Sequence, residues 1–309
     1  MFLPAPALRA ERDKGSFLSS SYTNSAGTRT YKLFKPASTE DHYIGLVVML
    51  HGCTQSPDDF ALATGMNALA ETHRFIVAYP AQEPRANGLR CWNWFRSQDQ
   101  VRDQGEPSIL AGIIGEVARA NHIASDRVFL VGFSAGAAMA MVLAETYPEL
   151  IAGLGAHSGL PFGTAKDLAS AARVMREGVE AQVRPPPSTR LPSDHTIRSI
   201  VFQGDKDHTV NPLNGQTVVA QLLDIARSDG FDLLPLEEKG VSHGGMSYMR
   251  TTFCDANGRG LLEYWLLRGA GHAWSGGNSA GSFTDQAGPD ASAEMVQFFF
   301  NPNERRLTS

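Results

Sequence analysis

The sequence predicts an α/β protein: a mostly parallel, twisted sheet with helices on both faces and an antiparallel start at the N-terminus. Three observations predict it. Short runs that are apolar throughout, such as Leu46-Val47-Val48-Met49-Leu50, read as strands buried on both faces, as parallel pairing requires. These runs alternate with helical patterns of about 10–15 residues, the rhythm of strand–helix–strand units. The chain has 309 residues, 42% of them apolar, which is ample for one large core.

The elements follow in order. Residues 1–15 read as an irregular arm and 16–309 as a single domain. Residues 16–25 and 28–35 are rich in β-branched and aromatic side chains and flank Asn24-Ser25-Ala26-Gly27, so they form an antiparallel hairpin. Residues 45–51 are a buried strand. A helix starts near Ser56 and carries Ala61, Leu62, Met66, Leu69 and Ala70 on one side. Residues 75–80 are the next strand and 108–120 the next helix. Strand 128–131 leads into helix 135–146, and strands 151–156 and 197–202 precede helix 214–226. Residues 246–253 and 261–268 flank Asp255-Ala256-Asn257-Gly258 as a hairpin, and 291–300 close the chain as a helix. Residues 163–195 break the rhythm with a helical piece at 167–183 followed by Pro185-Pro186-Pro187 and Leu191-Pro192-Ser193. They form either a long surface connection or a cap beside a functional site, because long loops in compact domains are often functional.

Composition narrows the function. Charged residues make up 19% and the net charge is −5, so no basic face is implied and nucleic acid is not an expected partner. No apolar run is long enough to span a membrane. The N-terminus lacks a basic segment ahead of a long apolar stretch, so the chain as written reads as cytoplasmic. A leader ahead of it would make the protein secreted or periplasmic. Three cysteines permit at most one bridge, too few for a disulfide scaffold.

The central motif is Val128-Phe129-Leu130-Val131-Gly132-Phe133-Ser134-Ala135-Gly136-Ala137-Ala138-Met139: G-x-S-x-G between an apolar strand and an alanine-rich helix. The chemistry needs that setting. A sharp strand-to-helix turn lifts the Ser134 hydroxyl out of the sheet, and glycine at 132 and 136 gives the turn room. The helix N-terminus then directs unpaired N–H groups and a positive dipole end at a developing oxyanion. The motif predicts an α/β-hydrolase with Ser134 as nucleophile. The bland alternative is a structural serine in a tight turn.

In that fold the acid and then the histidine follow the serine along the chain. Of nine histidines, His243 and His272 lie in the last quarter. His272, in Gly269-Ala270-Gly271-His272-Ala273-Trp274, follows an apolar strand and is the expected base; His243 precedes a strand. After the strand at 197–202 comes Gln203-Gly204-Asp205-Lys206-Asp207-His208. Asp207 is the expected acid, with Asp205 as rival or turn stabiliser and His208 a loop histidine. The acid holds the imidazole tautomer and stabilises imidazolium. His51-Gly52-Cys53-Thr54 ends the strand at 45–50, where the fold supplies an oxyanion N–H. Cys53 is the first expected donor, with Thr54 as alternative, and Ala135 is the second. Trp92, Trp94 and Trp274 are candidates to line the substrate site, against the plainer reading of core aromatics. No metal or other cofactor is expected: the histidines are scattered without H-E-x-x-H, and no G-x-G-x-x-G opens a helix.

With these pieces placed, the chain resembles esterases of the poly(3-hydroxybutyrate) depolymerase family, a group similar to feruloyl esterases. The matching stretches are Leu50–Gln55 as Leu-His-Gly-Cys-Thr-Gln, Cys91-Trp92-Asn93-Trp94-Phe95, Arg102-Asp103-Gln104-Gly105-Glu106, the turn at 132–136, His157-Ser158-Gly159-Leu160, and the segments 269–277 and 282–292. The resemblance implies an α/β-hydrolase fold and a serine esterase acting on short-chain acyl or hydroxyacyl esters, with feruloyl or acetyl-xylan esters as the alternative. It also implies a bridge between Cys53 and Cys91, leaving Cys254 free. Phe133 stands where leucine is usual in the family and Ala137 where glycine is usual. A non-catalytic binding protein on the same fold is the rival from another class.

Overall fold

The computed structural model describes residues 15–37, 42–179 and 196–301. The N-terminal arm up to residue 14 and residues 180–195, with all of the proline-rich part of the 163–195 insert, lie outside the described residues. The chain opens with the hairpin β1 (Ser16–Asn24) and β2 (Gly27–Lys35), then β3 (Leu46–Leu50), α1 (Pro57–Thr64), α2 (Met66–His73), β4 (Ile76–Pro80) and α3 (Gly105–Ala120). It continues through β5 (Val128–Phe133), α4 (Ala135–Thr146), β6 (Gly153–His157), α5 (Leu168–Glu177), β7 (Arg198–Gly204) and α6 (Pro212–Ser228). Strands β8 (Leu234–Val241), β9 (Ser247–Cys254) and β10 (Gly260–Leu267), the two-residue β11 (Trp274–Ser275) and β12 (Thr284–Asp285), and α7 (Ala291–Phe300) complete it.

One ten-stranded sheet runs in the order β1-β2-β4-β3-β5-β6-β7-β10-β9-β8. Its middle, from β4 to β10, is parallel throughout, and antiparallel strands flank it at both ends. Parallel strands are covered on both faces, and β3 shows how one pentapeptide serves two cores. Leu46, Val48 and Leu50 pack with α3, α4 and α6, while Val47 and Met49 point the other way, towards α1, α2 and α7. α4 is buried all round, which its Ala-Met-Val-Leu composition allows. Parallel strands share one direction, so β3, β5, β6 and β7 all deliver their C-terminal ends to the same edge. That edge is where open α/β sheets build their sites.

Two local expectations need correction. The helix predicted from Ser56 is two helices, because Gly65 takes a left-handed φ of 64° and its N–H caps α1 at the Ala61 carbonyl. The break rotates the faces, and Leu62 is 45% exposed rather than buried. The helical piece predicted at 167–183 ends at Glu177 within the described residues, capped at its start by Asp167, whose side chain accepts from the Ser170 N–H. Strand β8 was not expected. Its residues Leu234-Pro235-Leu236-Glu237-Glu238-Lys239 are all exposed, and backbone pairing to β9, with a Glu238–Arg250 ion pair across it, holds it as a strand.

Candidate active site

Ser134 links β5 to α4 with φ 56° and ψ −121°, a conformation that L-residues avoid. Two glycines make this turn sterically available. A Cβ at 132 would lie 2.3 Å from the Gly136 carbonyl, and a Cβ at 136 would lie 2.0 Å from Leu50 O, so α4 could not approach β3 and β5. The Ser134 N–H donates to His157 O on the neighbouring strand at 2.9 Å, which holds the turn over the sheet edge.

His272, on the loop after β10, meets this turn: its Nε2 lies 2.9 Å from Ser134 Oγ. Its Nδ1 lies 2.7 Å from Asp207 Oδ2, on the loop after β7. The arrangement suits a neutral imidazole with its proton on Nδ1, donating to the carboxylate and accepting from the serine. Asp207 Oδ1 accepts N–H bonds from Thr209 and Val210 at 2.9 and 2.8 Å, and Gln203 Nε2 donates to Oδ2 at 3.3 Å. Burial pushes the Asp207 carboxyl up, but the hydrogen bond and charge of His272 and the two N–H donors outweigh it, so its pKa lies below the usual value. Asp205 does different work: its carboxylate accepts from Gly269 N–H at 2.7 Å and Arg268 Nη1 at 3.3 Å, pinning the loop that carries His272. His208 and His243 are exposed.

Ala135 follows Ser134 directly, and Cys53 shares the cavity wall with both. Ala135 opens α4, where N–H groups lack intrahelical acceptors. Thr54 does not offer its N–H, because it donates to Leu89 O at 2.6 Å. Among the described residues neither Cys53 nor Ala135 N–H has a protein acceptor. Cys53 and Cys91 form a disulfide, and Cys254 is free and buried. Behind this loop, His51 Nδ1–H donates to Gly52 O, its Nε2 accepts from Gln82 N–H, and Trp92 Nε1–H donates to His51 O.

A cavity of about 990 Å³ opens above Ser134, with His272, Cys53 and Ala135 in its wall. Of the three tryptophans, Trp94 lines it. Trp92 and Trp274 do not: both are in the core, Trp92 tied to His51 and Trp274 through Nε1–H to Ser292 Oγ at 3.1 Å. Their size and indole N–H bonds suit them to support the loops from behind. The apolar wall comes instead from Phe95, Leu160, Met175 and Phe283 beside Trp94, and α5 of the insert closes one side with Leu168 and Ala171. Sequence reasoning missed Phe283, which lies in a loop without periodicity, and Gln203 and His157. His157 ends β6 and Gln203 is the next-to-last residue of β7, both buried at the edge where the strands' C-terminal ends meet, a placement that is itself a signal.

The family model described as "Esterase PHB depolymerase" matches residues 29–232. The chain is 34% identical over 235 residues to "Poly(3-hydroxyalkanoate) depolymerase C" of Paucimonas lemoignei, covering 74% of this chain and 54% of that protein. It is 35% identical over 121 residues to "Probable acetylxylan esterase A" of Aspergillus flavus, 38% of each chain. The chain thus spans about half, or less, of the length of these relatives. Among solved structures, "Acetyl xylan esterase from Aspergillus awamori" is similar with a TM-score of 0.69 at 20% identity, over 92% of this chain and 98% of that one. That likeness concerns the fold, which is the α/β-hydrolase fold.

Proposed function

Because this chain belongs to the esterase PHB depolymerase family, we propose that it is a serine esterase that hydrolyses short-chain carboxylic esters, with hydroxyalkanoate oligomers as its substrate class. The observation that carries this reading is the unbroken line of hydrogen bonds from Ser134 Oγ through His272 to Asp207. In the reaction, His272 Nε2 takes the hydroxyl proton while Ser134 Oγ attacks the ester carbonyl. The N–H groups of Cys53 and Ala135 receive the oxyanion. His272 then protonates the departing alcohol, and water, activated by the same nitrogen, releases the acid. Asp207 stays ionised and stabilises the imidazolium. Residues 16–309 act as one catalytic domain, with the insert at 163–195 as its cap.

The cavity supports an acyl or alcohol part larger than acetyl, since its volume lies at the upper end of the roughly 300–1,000 Å³ common for ligand pockets. A second reading, an acetylxylan-type esterase, draws on the 35% identity over 121 residues to the Aspergillus flavus protein. Kinetics on hydroxybutyrate oligomers, acetylated xylan and methyl ferulate separate these readings, and the oligomers are expected to give the highest kcat/KM. Ser134→Ala is expected to lower kcat on 4-nitrophenyl butyrate by several orders of magnitude with the fold intact. A variant that cleaves at near the parental rate would refute the serine mechanism altogether.

A further inference from the structure

We propose that His157 is a positioning residue that couples the nucleophile turn to the loop bearing the base, so that Ser134 and His272 are placed by one buried residue, the first through its carbonyl and the second through its ring. The proposal rests on the serine-esterase reading above. His157 ends β6 and is fully buried. It has two separate attachments. Its backbone carbonyl accepts the Ser134 N–H at 2.9 Å, and its ring Nε2 accepts the Ser275 N–H at 3.1 Å. Ser275 is three residues beyond His272, a stretch of chain that can span no more than about 10 Å. One residue therefore grips the serine turn and the loop of the base, from within the core rather than from the cavity wall.

The ring is built to stay an acceptor. Its Nδ1 lies 3.1 Å from Ser158 Oγ, which takes the one proton of the neutral imidazole and leaves the Nε2 lone pair for Ser275. Burial, and then the nearby charge of His272, pull its pKa down to about 3, so the ring stays neutral wherever the enzyme is folded and active. It is also packed against flat rings: Phe202 stacks with it at 5.6 Å and 11°, and Trp274 at 5.1 Å and 27°. Phe133, the residue before the serine, meets both His157 and His272. A fully buried ring bonded at both nitrogens and stacked with two neighbours is held in one rotamer. Its position thus fixes the Ser275 amide, and through it the approach of His272. Misplacement of reacting groups by about 1 Å can cost on the order of a hundredfold in rate.

The test compares His157→Leu, His157→Gln and His157→Asn in the full chain, with kcat and KM on 4-nitrophenyl butyrate and Ser134→Ala as control. Glutamine can set its Oε1 where Nε2 was and keep an acceptor for Ser275; leucine offers none; asparagine is too short to reach. His157→Leu is expected to lower kcat at least tenfold with KM changed less than threefold, and His157→Gln to recover kcat to within about threefold of the parent. Should the leucine variant not fold, the same gap is expected between asparagine and glutamine. A leucine or asparagine variant with near-parental kcat overturns the proposal. So does a glutamine variant as slow as the other two, since the loss would then come from packing alone. Activity that persists in Ser134→Ala would instead remove the underlying serine-esterase reading.

Discussion

Ser134 is held in a backbone state that costs about 1–3 kcal/mol, and the residues around it compensate. Its N–H is bonded to His157 O, its φ of 56° is enforced by the closeness of α4 to β3 and β5, and both neighbours in the motif are glycines with no room for a methyl. The two acidic residues beyond β7 are equally specific in their work. Asp207 holds His272, whereas Asp205 holds the backbone of the loop that carries it. Asp207→Asn is therefore expected to lower kcat/KM on 4-nitrophenyl butyrate by roughly 10³–10⁴, because an amide favours the wrong imidazole tautomer. Asp205→Asn keeps an acceptor oxygen for Gly269 and is expected to stay within about tenfold of the parent. The reverse ranking of the two variants would exchange their roles.

Among the elements, the loop after β3 carries the proposed Cys53 oxyanion donor outside any regular helix or strand. Three things hold it. Gln55 Oε1 accepts the Gly52 N–H at 2.9 Å, His51 is anchored at both ring nitrogens, and the disulfide joins Cys53 to Cys91 across a sequence separation of 38. The bridge ties the proposed oxyanion donor to the segment that bears Trp94. A loop of that length is expected to contribute about 4 kcal/mol in the chain-entropy picture, and measured values for such bridges run at roughly 2–4 kcal/mol. Cys91→Ser is expected to reduce the unfolding free energy by that amount in a urea titration and to lower kcat, since the Cys53 N–H loses its tether. An unchanged kcat would show that Gln55 and His51 suffice to hold the donor.

For the molecule as a whole, two fully buried imidazoles make the fold sensitive to acid. Burial lowers the pKa of His51 to about 4 and that of His157 to about 3. In the unfolded chain both take up protons near pH 6.5, so unfolding binds protons below that pH and stability falls as pH drops towards 4 and 3. By pH 5 the two together cost about 4 kcal/mol. Asp99 acts in the opposite sense: burial raises its pKa to about 6, so the folded state takes up a proton first and offsets part of the loss. Urea unfolding at pH 7.5 and pH 5 is expected to give a clearly lower midpoint at pH 5. Equal midpoints would mean that water reaches these rings.

Local chemistry accounts for most of what could be read ahead of the structure. Strand-to-helix alternation, G-x-S-x-G with its flanking patterns, the loop histidine after β10 and the acid pair after β7 are all short-range signals, and each marks a place where one residue type meets one requirement. They name Ser134, His272 and Asp207 as candidates but leave Asp205 in contention, because two carboxylates separated by one residue look alike until the loop is folded. The rest depends on residues far apart in the chain. Trp92 and Trp274 belong to the core and Trp94 to the cavity wall, though all three are tryptophans beside the site in sequence. β8 exists because β9 offers it an edge, not because its side chains are buried. His157 acquires its two grips only when β5, β6 and the loop after β10 converge. Burial and hydrogen-bond partners are set by what packs from a distance, and no local pattern of side chains carries that information.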